Sequence, residues 1–260
     1  MKKAVLITGA CVNTGVAIVE KFATEGYDIV FTGRVGERIT KAEEDYRERF
    51  PDVRIFGYPL TSTNEDGSVD EAGVKNLFLS LDERGIFIET LILNAADQGL
   101  GMKIFENPLS DFVSVLNTNV VWNFCLAEEA AKRMKTQGGG NIIFINSNTA
   151  YRAIPDRIAY VTSKGAQLGL MRALAVDLGK YNIRVNAVLP GMIKTDRWEK
   201  NPDFYKTVPS RYTPIGDVAI GEDIADAVYY FAACARNTTG AELTVDGGNM
   251  IQLYPIVPKK

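Results

Sequence analysis

The sequence predicts an α/β fold, in which one domain over residues 1–260 is built on a doubly wound parallel sheet with helices on both faces. Short apolar runs, at residues 4–8 and 142–145 for example, are typical of strands buried on both faces of a parallel sheet. Such runs alternate with stretches of helical periodicity along the whole chain. No shift of composition and no Pro-, Gly- or Ser-rich linker divides the 260 residues, so we expect a single domain.

Composition excludes several classes of function. The net charge is −3 and no basic face is evident, which argues against a nucleic-acid partner. There is no histidine, so Ser-His-Asp hydrolysis and histidine metal sites are excluded, and no metal site is predicted. Cys11, Cys125 and Cys234 lack CxxC spacing, which favours free thiols and a reducing cytoplasm. No apolar run reaches the ~18 residues of a membrane span.

The first strand, residues 4–8, leads into a glycine-containing turn. Residues 9–15 form this turn, and a helix follows to about residue 25. Such a turn between a strand and a helix brings backbone N–H groups and a helix N-terminus against a pyrophosphate. The beginning of the chain therefore predicts a dinucleotide site.

The end of the second strand, residues 27–32, predicts the type of cofactor. Gly33 stands where an acidic residue would bind a ribose hydroxyl, and Arg34 follows it. Arginine suits a 2′-phosphate, so NADP(H) is favoured over NAD(H). The alternative is a solvated arginine at the start of a polar loop.

The middle of the chain continues the alternation. We predict a helix at 37–50, a strand at 53–58, a polar loop at 61–70, a helix at 71–84, a strand at 90–93 and a helix at 111–135. The strand at 90–93 runs into Asn94-Ala95-Ala96, whose small residues let the backbone approach a ligand or a neighbouring element closely. Asn119 lies among apolar residues of the long helix, where a buried amide has to be hydrogen-bonded.

Residues 141–164 carry the predicted reaction chemistry. The strand at 142–145 ends in Asn146, Ser147 and Asn148, and a helix opens near residue 155. Tyr160 and Lys164 are four residues apart on one face of that helix. Its buried face is predicted from apolar or small residues at Ala159, Ala166, Leu170, Ala173 and Leu174. A hydroxyl at the end of a strand can then meet a phenol and an ammonium where open α/β sheets bind ligands.

The three side chains suit proton transfer. A phenol has an ordinary pKa of about 10, and lowering it to about 7 requires roughly 4 kcal/mol. One ammonium about 4 Å away supplies that order of energy at an effective dielectric constant of 20. We therefore predict that Lys164 lowers the pKa of Tyr160 while Ser147 holds a substrate oxygen.

The last third predicts two further strands and a lid. The strand at 183–189 leads into residues 190–195, a helix is expected at 222–235 and a strand at 242–245. The irregular segment 193–217 is interpreted as a substrate lid, and its small surplus of basic residues suits an anionic substrate or is simply solvated. The candidate pocket residues outside the lid are Asp97, Gln98, Asn148, Tyr151 and Arg152.

The order of these motifs resembles the short-chain dehydrogenase/reductase family, in its compact form of about 250 residues. The matching stretches are TGACVNTG at 8–15, NAA at 94–96, Asn119, Ser147, YVTSK at 160–164, RVNAVLPGMIKT at 184–195 and VDGG at 245–248. The resemblance covers essentially the whole chain. It implies a Rossmann-type fold and a homotetramer.

The resemblance also implies a role for each matching residue. Asn119 would hold a water in a proton relay, Ser147 would polarise the substrate carbonyl, Tyr160 would transfer the proton, and Lys164 would bind the nicotinamide ribose and lower the tyrosine pKa. Asn148 and Tyr151 would join Ser147 and Tyr160 in contacting the substrate. The implied cofactor contacts are Gly9, Asn13, Thr14 and Gly15 for the pyrophosphate, Arg34 for the 2′-phosphate, Asn94 and Ala95 for the adenosine ribose, and Pro190, Gly191, Ile193 and Thr195 for the nicotinamide end.

Three positions depart from the family pattern. Asn13 replaces the middle glycine of the turn, and asparagine is the non-glycine residue that best tolerates a positive φ. Ala96 replaces a glycine and adds a methyl group beside the cofactor. Pro59 and Leu60 stand where an acidic residue near the adenine is usual.

The predicted function is an NADP(H)-dependent oxidoreductase that reversibly reduces a ketone or aldehyde of a small molecule. A 3-oxoacyl thioester, a sugar or polyol, and a steroid are all compatible substrates. The alternatives are an NAD(H)-dependent alcohol dehydrogenase of the same family and a dinucleotide-binding regulator without turnover. An epimerase or dehydratase of the wider family is a further alternative, although those chains are usually longer.

Overall fold

The computed structural model describes residues 3–195 and 211–255. The seven strands of the described chain are β1 (Ala4–Ile7), β2 (Asp28–Gly33), β3 (Ile55–Pro59), β4 (Ile88–Leu93), β5 (Gly140–Ile145), β6 (Ile183–Pro190) and β7 (Glu242–Val245). The α-helices within those ranges are α1 (Thr14–Thr24), α2 (Gly36–Arg49), α3 (Glu71–Glu83), α4 (Leu109–Leu116), α5 (Trp122–Gln137), α6 (Ile158–Gly179) and α7 (Gly221–Tyr229).

All seven strands are parallel and form one sheet in the order β3-β2-β1-β4-β5-β6-β7. The strand order reverses between β1 and β4, so the chain winds outward from the middle in both directions. The predicted doubly wound parallel sheet is confirmed. The carboxyl ends of the central strands open at the switch point, which is where ligands bind in such sheets.

The core consists of one apolar layer on each face of the sheet. Alternate residues of β1 point to opposite layers, with Ala4 and Leu6 in one and Val5 and Ile7 in the other. Helices α3, α5 and α6 cover the first face, and α1, α2 and α7 cover the second. Because both faces are covered, the strands are mostly apolar, which is why short apolar runs located them in the sequence.

The helix predicted at 111–135 is interrupted. A π-helical turn, Asn117–Val121, separates α4 from α5, and Asn119 within it is fully buried. Such turns are frequent at functional sites because they redirect a side chain and part of the backbone. Helical periodicity continues across the turn, so the break could not be predicted from the sequence.

The buried face predicted for α6 is partly wrong. Ala166 and Ala173 are exposed, whereas Ser163, Lys164 and Gln167 are buried. Leu168, Met171 and Ala175 continue the buried face with helical spacing, so the apolar pattern could have identified that part. It could not identify the polar part, which packs against the end of β5 and the π-helical turn.

Three further features of the described chain bear on the expectations from composition. All three cysteines are free thiols. Within residues 3–195 and 211–255, no helix combines the length and apolar character that a bilayer crossing needs. Of the predicted lid at 193–217, residues 196–210 lie outside the described residues.

Candidate active site

The segments that follow β1, β4, β5 and β6 meet at the carboxyl edge of the sheet. Gly9, Asn94, Ser147 and Gly191 lie in these four segments, each within two residues of the end of its strand. The strands are adjacent and parallel, so their ends share one crevice. The structure thus brings together residues that are widely separated in the sequence.

The glycine turn after β1 is shaped by close backbone contacts. Gly9 has a φ of 68°. A Cβ added to Gly15 would lie 2.6 Å from the Gly9 carbonyl oxygen and 2.7 Å from the Ala10 Cα, which no side chain could accommodate. The buried Tyr46 of α2 donates its hydroxyl to the Ala10 carbonyl oxygen at 2.8 Å. The turn is therefore held from two sides, with its backbone at the start of α1.

Asn13 precedes α1 with a φ of 51° and a ψ of −131°. The φ is positive, but the ψ lies outside the left-handed region that asparagine favours, so the left-handed backbone expected here is not what the structure shows. The side chain is exposed and makes no capping hydrogen bond. A non-glycine residue in such a conformation costs about 1–3 kcal/mol.

We expect the Asn13→Gly variant to be more stable than the wild-type protein. Glycine adopts this backbone conformation without strain, and the gain exceeds the ~1 kcal/mol that the freer unfolded chain costs. Urea denaturation at pH 7 should show a free energy of unfolding about 1 kcal/mol higher. Asn182→Gly is the control, since Asn182 also has a positive φ, 59°, but donates to the Gly138 carbonyl oxygen. A less stable Asn13→Gly protein would mean that the turn is not strained.

Asn94 fastens the end of β4 to the end of β1. Its Nδ2 donates to the carbonyl oxygens of Thr8 and Gly9 at 2.9 and 3.2 Å. The backbone N–H groups of Asn94 and Ala95 donate to the Thr8 hydroxyl, each at 3.0 Å. The Asn94 amide therefore supports the glycine turn, and the neighbouring Ala96 is exposed.

A cavity of about 340 Å³ lies beside the glycine turn. Asn13 and Thr14 line it from the turn, and Lys194 and Thr195 line it from the segment after β6. The cavity lies at the N-terminus of α1, where backbone N–H groups attract anions, and it is therefore the candidate location for a pyrophosphate. Two carboxylates, Glu20 and Glu222, form its outer wall.

The end of β2 presents exposed arginines. Arg34 is exposed, and no hydrogen bond or ion pair of its side chain occurs within the described part of the chain. Arg38, in the first turn of α2, is close enough to the Cys11 thiol to oppose the rise that burial causes in its pKa. At the position where an acidic residue is usual, Leu60 is buried in the core.

Ser147, Tyr160 and Lys164 come together beyond the end of β5. The Ser147 hydroxyl lies close enough to the Tyr160 phenol to lower its pKa, and it accepts from the Thr149 N–H at 3.2 Å. Lys164 Nζ lies 5.5 Å from the centre of the Tyr160 ring. Lys164 is only 2% exposed, and Tyr160 is half-buried at the crevice.

Burial decides the pKa values of this group. Burial raises the pKa of the Tyr160 phenol, and the Ser147 hydroxyl and the charge of Arg157 only partly oppose it. Burial also lowers the pKa of the Lys164 ammonium from 10.5 to about 7. The prediction that Lys164 lowers the pKa of Tyr160 is therefore corrected. Burial disfavours both the Tyr160 phenolate and the Lys164 ammonium. Because the lysine is largely uncharged near its lowered pKa, it does not offset the rise in the tyrosine pKa.

The Lys164 side chain is directed by two oxygen acceptors. Nζ donates to the Ile145 carbonyl oxygen at 2.8 Å and to Gln167 Oε1 at 3.1 Å. An ammonium has three N–H donors, so a third remains for an acceptor in the crevice.

Asn119 is fixed by contacts of its side chain with the loop after β4 and with α6. Its Nδ2 donates to the Asp97 carbonyl oxygen at 2.8 Å and to the Ser163 hydroxyl at 2.9 Å. Its Oδ1 accepts from the Asp97 N–H at 2.8 Å. The expected hydrogen bonding of a buried asparagine is confirmed, and its effect is to attach the loop after β4 to the π-helical turn.

The predicted substrate residues differ in where their side chains point. Asn148 is buried and donates to Asn249 Oδ1 at 2.9 Å. Tyr151 donates to Glu242 Oε2 at 2.5 Å, at the start of β7, so its hydroxyl points away from the carboxyl edge of the sheet. Arg152 donates to three backbone carbonyl oxygens within residues 249–252. Tyr151 and Arg152 are thus engaged in packing the C-terminal segment.

Asp97 and Gln98 are both exposed beside the crevice. The Asp97 carboxylate accepts from the Gly99 N–H at 2.9 Å, and the Gln98 carbonyl oxygen accepts from Arg157 at 2.8 Å. This loop therefore brings a guanidinium to the side of the crevice where Tyr160 lies.

The segment after β6 is held by backbone contacts. Pro190 closes β6, and the Gly191 N–H donates to the Val245 carbonyl oxygen at 2.9 Å. A Cβ at Gly191 would lie 2.6 Å from the Asp246 Cβ, so glycine is required there. Ile193 pairs with Ala219 as an isolated bridge. These contacts bring Ile193 and Thr195 to the crevice.

Sequence reasoning missed Thr8, Asn146 and Gln167. Asn146 Nδ2 donates to the Lys164 carbonyl oxygen at 2.9 Å and to Gln167 Oε1 at 3.0 Å. Gln167 could have been found, because it lies three residues after Lys164 and therefore on the same helical face. Thr8 is the first residue of the TGACVNTG motif, but the motif gave no role for its side chain.

Comparisons with known proteins agree with this geometry. Residues 9–249 match a family described as Enoyl-(Acyl carrier protein) reductase. The 3alpha-hydroxysteroid dehydrogenase of Mediterraneibacter gnavus is 32% identical over 247 residues, which cover 94% of this chain and 96% of that protein.

Two solved structures extend the comparison. L-sorbose reductase from Gluconobacter frateurii, in complex with NADPH and L-sorbose, has a TM-score of 0.88 at 27% identity, covering 97% of this chain and 98% of that chain. A xylitol dehydrogenase with bound NAD+ has a TM-score of 0.82 at 30% identity, covering 95% and 98%. The two structures bind different dinucleotides, so the comparisons support a nicotinamide cofactor of either kind.

Proposed function

Because this chain belongs to the short-chain dehydrogenase/reductase family of nicotinamide-dependent oxidoreductases, we propose that it is an NADP(H)-dependent carbonyl reductase. In this proposal a ketone or aldehyde is reduced to an alcohol, reversibly, and Tyr160 supplies the proton. The observation that carries the proposal is the grouping of Ser147, Tyr160 and Lys164 at the end of β5, beside a cavity that suits a pyrophosphate.

Different residues are proposed to bind different parts of the cofactor. Gly9, Asn13, Thr14 and Gly15 would hold the pyrophosphate, and Lys164 would use its third N–H donor for a ribose hydroxyl. The remaining proposed contacts are Asn94 and Ala95 at the adenosine ribose and Pro190, Gly191, Ile193 and Thr195 at the nicotinamide. When bound, the cofactor supplies the hydride.

The residues around the carbonyl would then do the proton chemistry. Ser147 would donate a hydrogen bond to the substrate oxygen and hold it beside the Tyr160 phenol. The raised pKa of Tyr160 favours the protonated phenol at neutral pH, which is the form that an acid needs in the reduction direction. The proton passes from the phenol to the substrate oxygen, and Lys164 is placed to steady the phenolate that is left.

Arg34 is proposed to select NADP(H). It is exposed at the end of β2, where a guanidinium can reach a 2′-phosphate as a charge-assisted, bidentate donor. The Arg34→Ala variant should bind NADPH about 10- to 100-fold more weakly while NADH binding changes less than about threefold.

Fluorescence titration with each dinucleotide measures this difference. Arg236→Ala is the matched control, because Arg236 is also exposed but follows α7 at the opposite end of the chain's sequence. Equal losses for NADPH and NADH in Arg34→Ala would refute the phosphate contact.

The substrate is proposed to be a small hydroxyl or keto compound. The relatives named above act on a steroid, on L-sorbose and on xylitol, so steroid and sugar or polyol substrates are the first candidates. The substrate class and the preferred cofactor can be tested together. Steroid ketones, keto sugars and 3-oxoacyl thioesters are each assayed with NADPH and with NADH by absorbance at 340 nm. A protein that is stabilised against heat by NADPH yet oxidises it with no member of the panel would be a dinucleotide-binding regulator instead.

A further inference from the structure

The side chain of Gln167 joins Lys164 to the π-helical turn that carries Asn119. Gln167 is 1% exposed. Its Oε1 accepts from Lys164 Nζ at 3.1 Å and from Asn146 Nδ2 at 3.0 Å. Its Nε2 donates to the Asn119 carbonyl oxygen at 2.6 Å.

The neighbours of the Gln167 amide determine which of its ends faces Lys164. Both groups on one side, Lys164 Nζ and Asn146 Nδ2, are donors, and the group on the other side is a carbonyl oxygen. A flipped amide would place its NH₂ group against two donors and its oxygen against an acceptor. The oxygen therefore faces the lysine.

The Asn119 carbonyl oxygen is engaged twice. It accepts from Gln167 Nε2 at 2.6 Å and from Asn123 Nδ2 at 2.9 Å. A carbonyl oxygen has two lone pairs, so these two amides can occupy both of them. The family resemblance implies a relay water at Asn119, whereas here a side-chain amide lies between Asn119 and the lysine.

We propose that Gln167 is a positioning residue, whose amide takes the place of a relay water between Lys164 and Asn119 and whose oxygen holds the Lys164 amine toward Tyr160. This inference rests on the proposed reductase function. An amide accepts and donates hydrogen bonds without changing its protonation at neutral pH. Protons therefore reach Lys164 from the crevice and not along the Asn119 side.

The surroundings of Lys164 make the effect of Gln167 measurable. Burial is the influence that shifts the Lys164 pKa, and no charged side chain of the described residues contributes to that shift. From β5 the lysine meets the Ile145 carbonyl oxygen, and on its own helix it meets the Tyr160 ring and Gln167. The charge of Arg157 acts on the pKa of Tyr160.

Two replacements of Gln167 should shift the Lys164 titration in opposite directions. Gln167→Met keeps the length of the side chain but removes the acceptor, so the pKa of Lys164 should fall by about one unit. Gln167→Glu places a carboxylate beside the amine, so the pKa should rise by about one unit or more. ¹⁵N NMR of labelled lysine, with Lys164 assigned through Lys164→Arg, measures both shifts without any turnover.

The pH dependence of turnover is the second measurement of the effect of Gln167 on Lys164. The pH at which kcat of carbonyl reduction declines on the alkaline side should move down in Gln167→Met and up in Gln167→Glu. At pH 7 kcat of Gln167→Met should be about tenfold lower, with the KM of the carbonyl substrate within about threefold of wild type.

Asn123→Leu is the matched control, because Asn123 shares the Asn119 carbonyl oxygen and contacts it from α5. This variant should lose thermal stability but leave the Lys164 titration within about 0.3 pH unit of wild type. Equal shifts in Asn123→Leu and Gln167→Met would mean that Gln167 acts only through the π-helical turn, and the proposal would be wrong.

Two further results would decide the role of Gln167 and the proposed function separately. An unmoved Lys164 titration in Gln167→Glu overturns the positioning role even if Gln167→Met does not fold. A wild-type protein that reduces no carbonyl compound refutes the reductase, while the NMR titration still decides whether Gln167 controls Lys164.

Discussion

Tyr160→Phe is expected to lower kcat of carbonyl reduction by about three orders of magnitude, the middle of the range that a positioned general acid contributes. The phenylalanine ring keeps the shape of the half-buried tyrosine ring but has no proton to give and no hydroxyl beside Ser147. NADPH binding should change by less than about threefold, since the ring itself is retained. Stopped-flow single-turnover kinetics and fluorescence titration of NADPH measure the two quantities separately.

Tyr230→Phe serves as the matched control, because Tyr230 is an exposed tyrosine in a second π-helical turn after α7. It should retain the wild-type kcat. Residual activity of Tyr160→Phe above about one tenth of wild type would contradict the role proposed for the phenol.

Lys164→Met is expected to change how stability depends on pH. The pKa of Lys164 is about 7 in the folded protein and 10.5 as its ordinary value, so between pH 7 and 10.5 the unfolded chain binds more protons than the folded one. Under that condition the free energy of unfolding rises with pH, by at most about 1.4 kcal/mol per unit. Between pH 7 and pH 9 wild type should therefore gain about 2 kcal/mol relative to Lys164→Met, which lacks this titration.

Urea denaturation of both proteins at pH 7, 8 and 9 gives the difference directly, and groups common to both cancel. Stopping at pH 9 avoids the window above pH 10 in which the raised pKa of Tyr160 would act in the opposite sense. Lys41→Met is the control, because Lys41 is exposed on α2 and its loss should leave the pH dependence unchanged. Parallel curves for wild type and Lys164→Met would show that the lysine is not held mainly uncharged above pH 7.

The Tyr160→Phe and Lys164→Met predictions both concern the buried lysine beside the tyrosine ring. A fully buried lysine destabilises the fold at neutral pH. This cost is consistent with a functional role for the Lys164 amine in the crevice. Lys164→Met should accordingly lose turnover. Its stability relative to wild type should be higher at pH 7 than at pH 9. A stabilising replacement that removes activity is the common pattern at reaction sites.

The order of the elements was predictable from the sequence. Strands covered on both faces are mostly apolar, and the helices between them have their own period, so both signals are local. The glycine turn and the positive φ of Asn13 were predictable for the same reason, since they depend on residue types at fixed positions. Tyr160 and Lys164 could be placed on one helical face from their spacing alone.

The sequence by itself therefore determined the α/β class, the parallel sheet, and the proximity of Ser147, Tyr160 and Lys164. Only the tertiary structure decided the break at Asn119, the amide of Gln167 beside Lys164, and the direction of the Tyr160 pKa. The reason is physical: a pKa and a hydrogen-bond partner depend on which distant groups exclude water, and burial of a polar helix face leaves no mark in the periodicity of apolar residues.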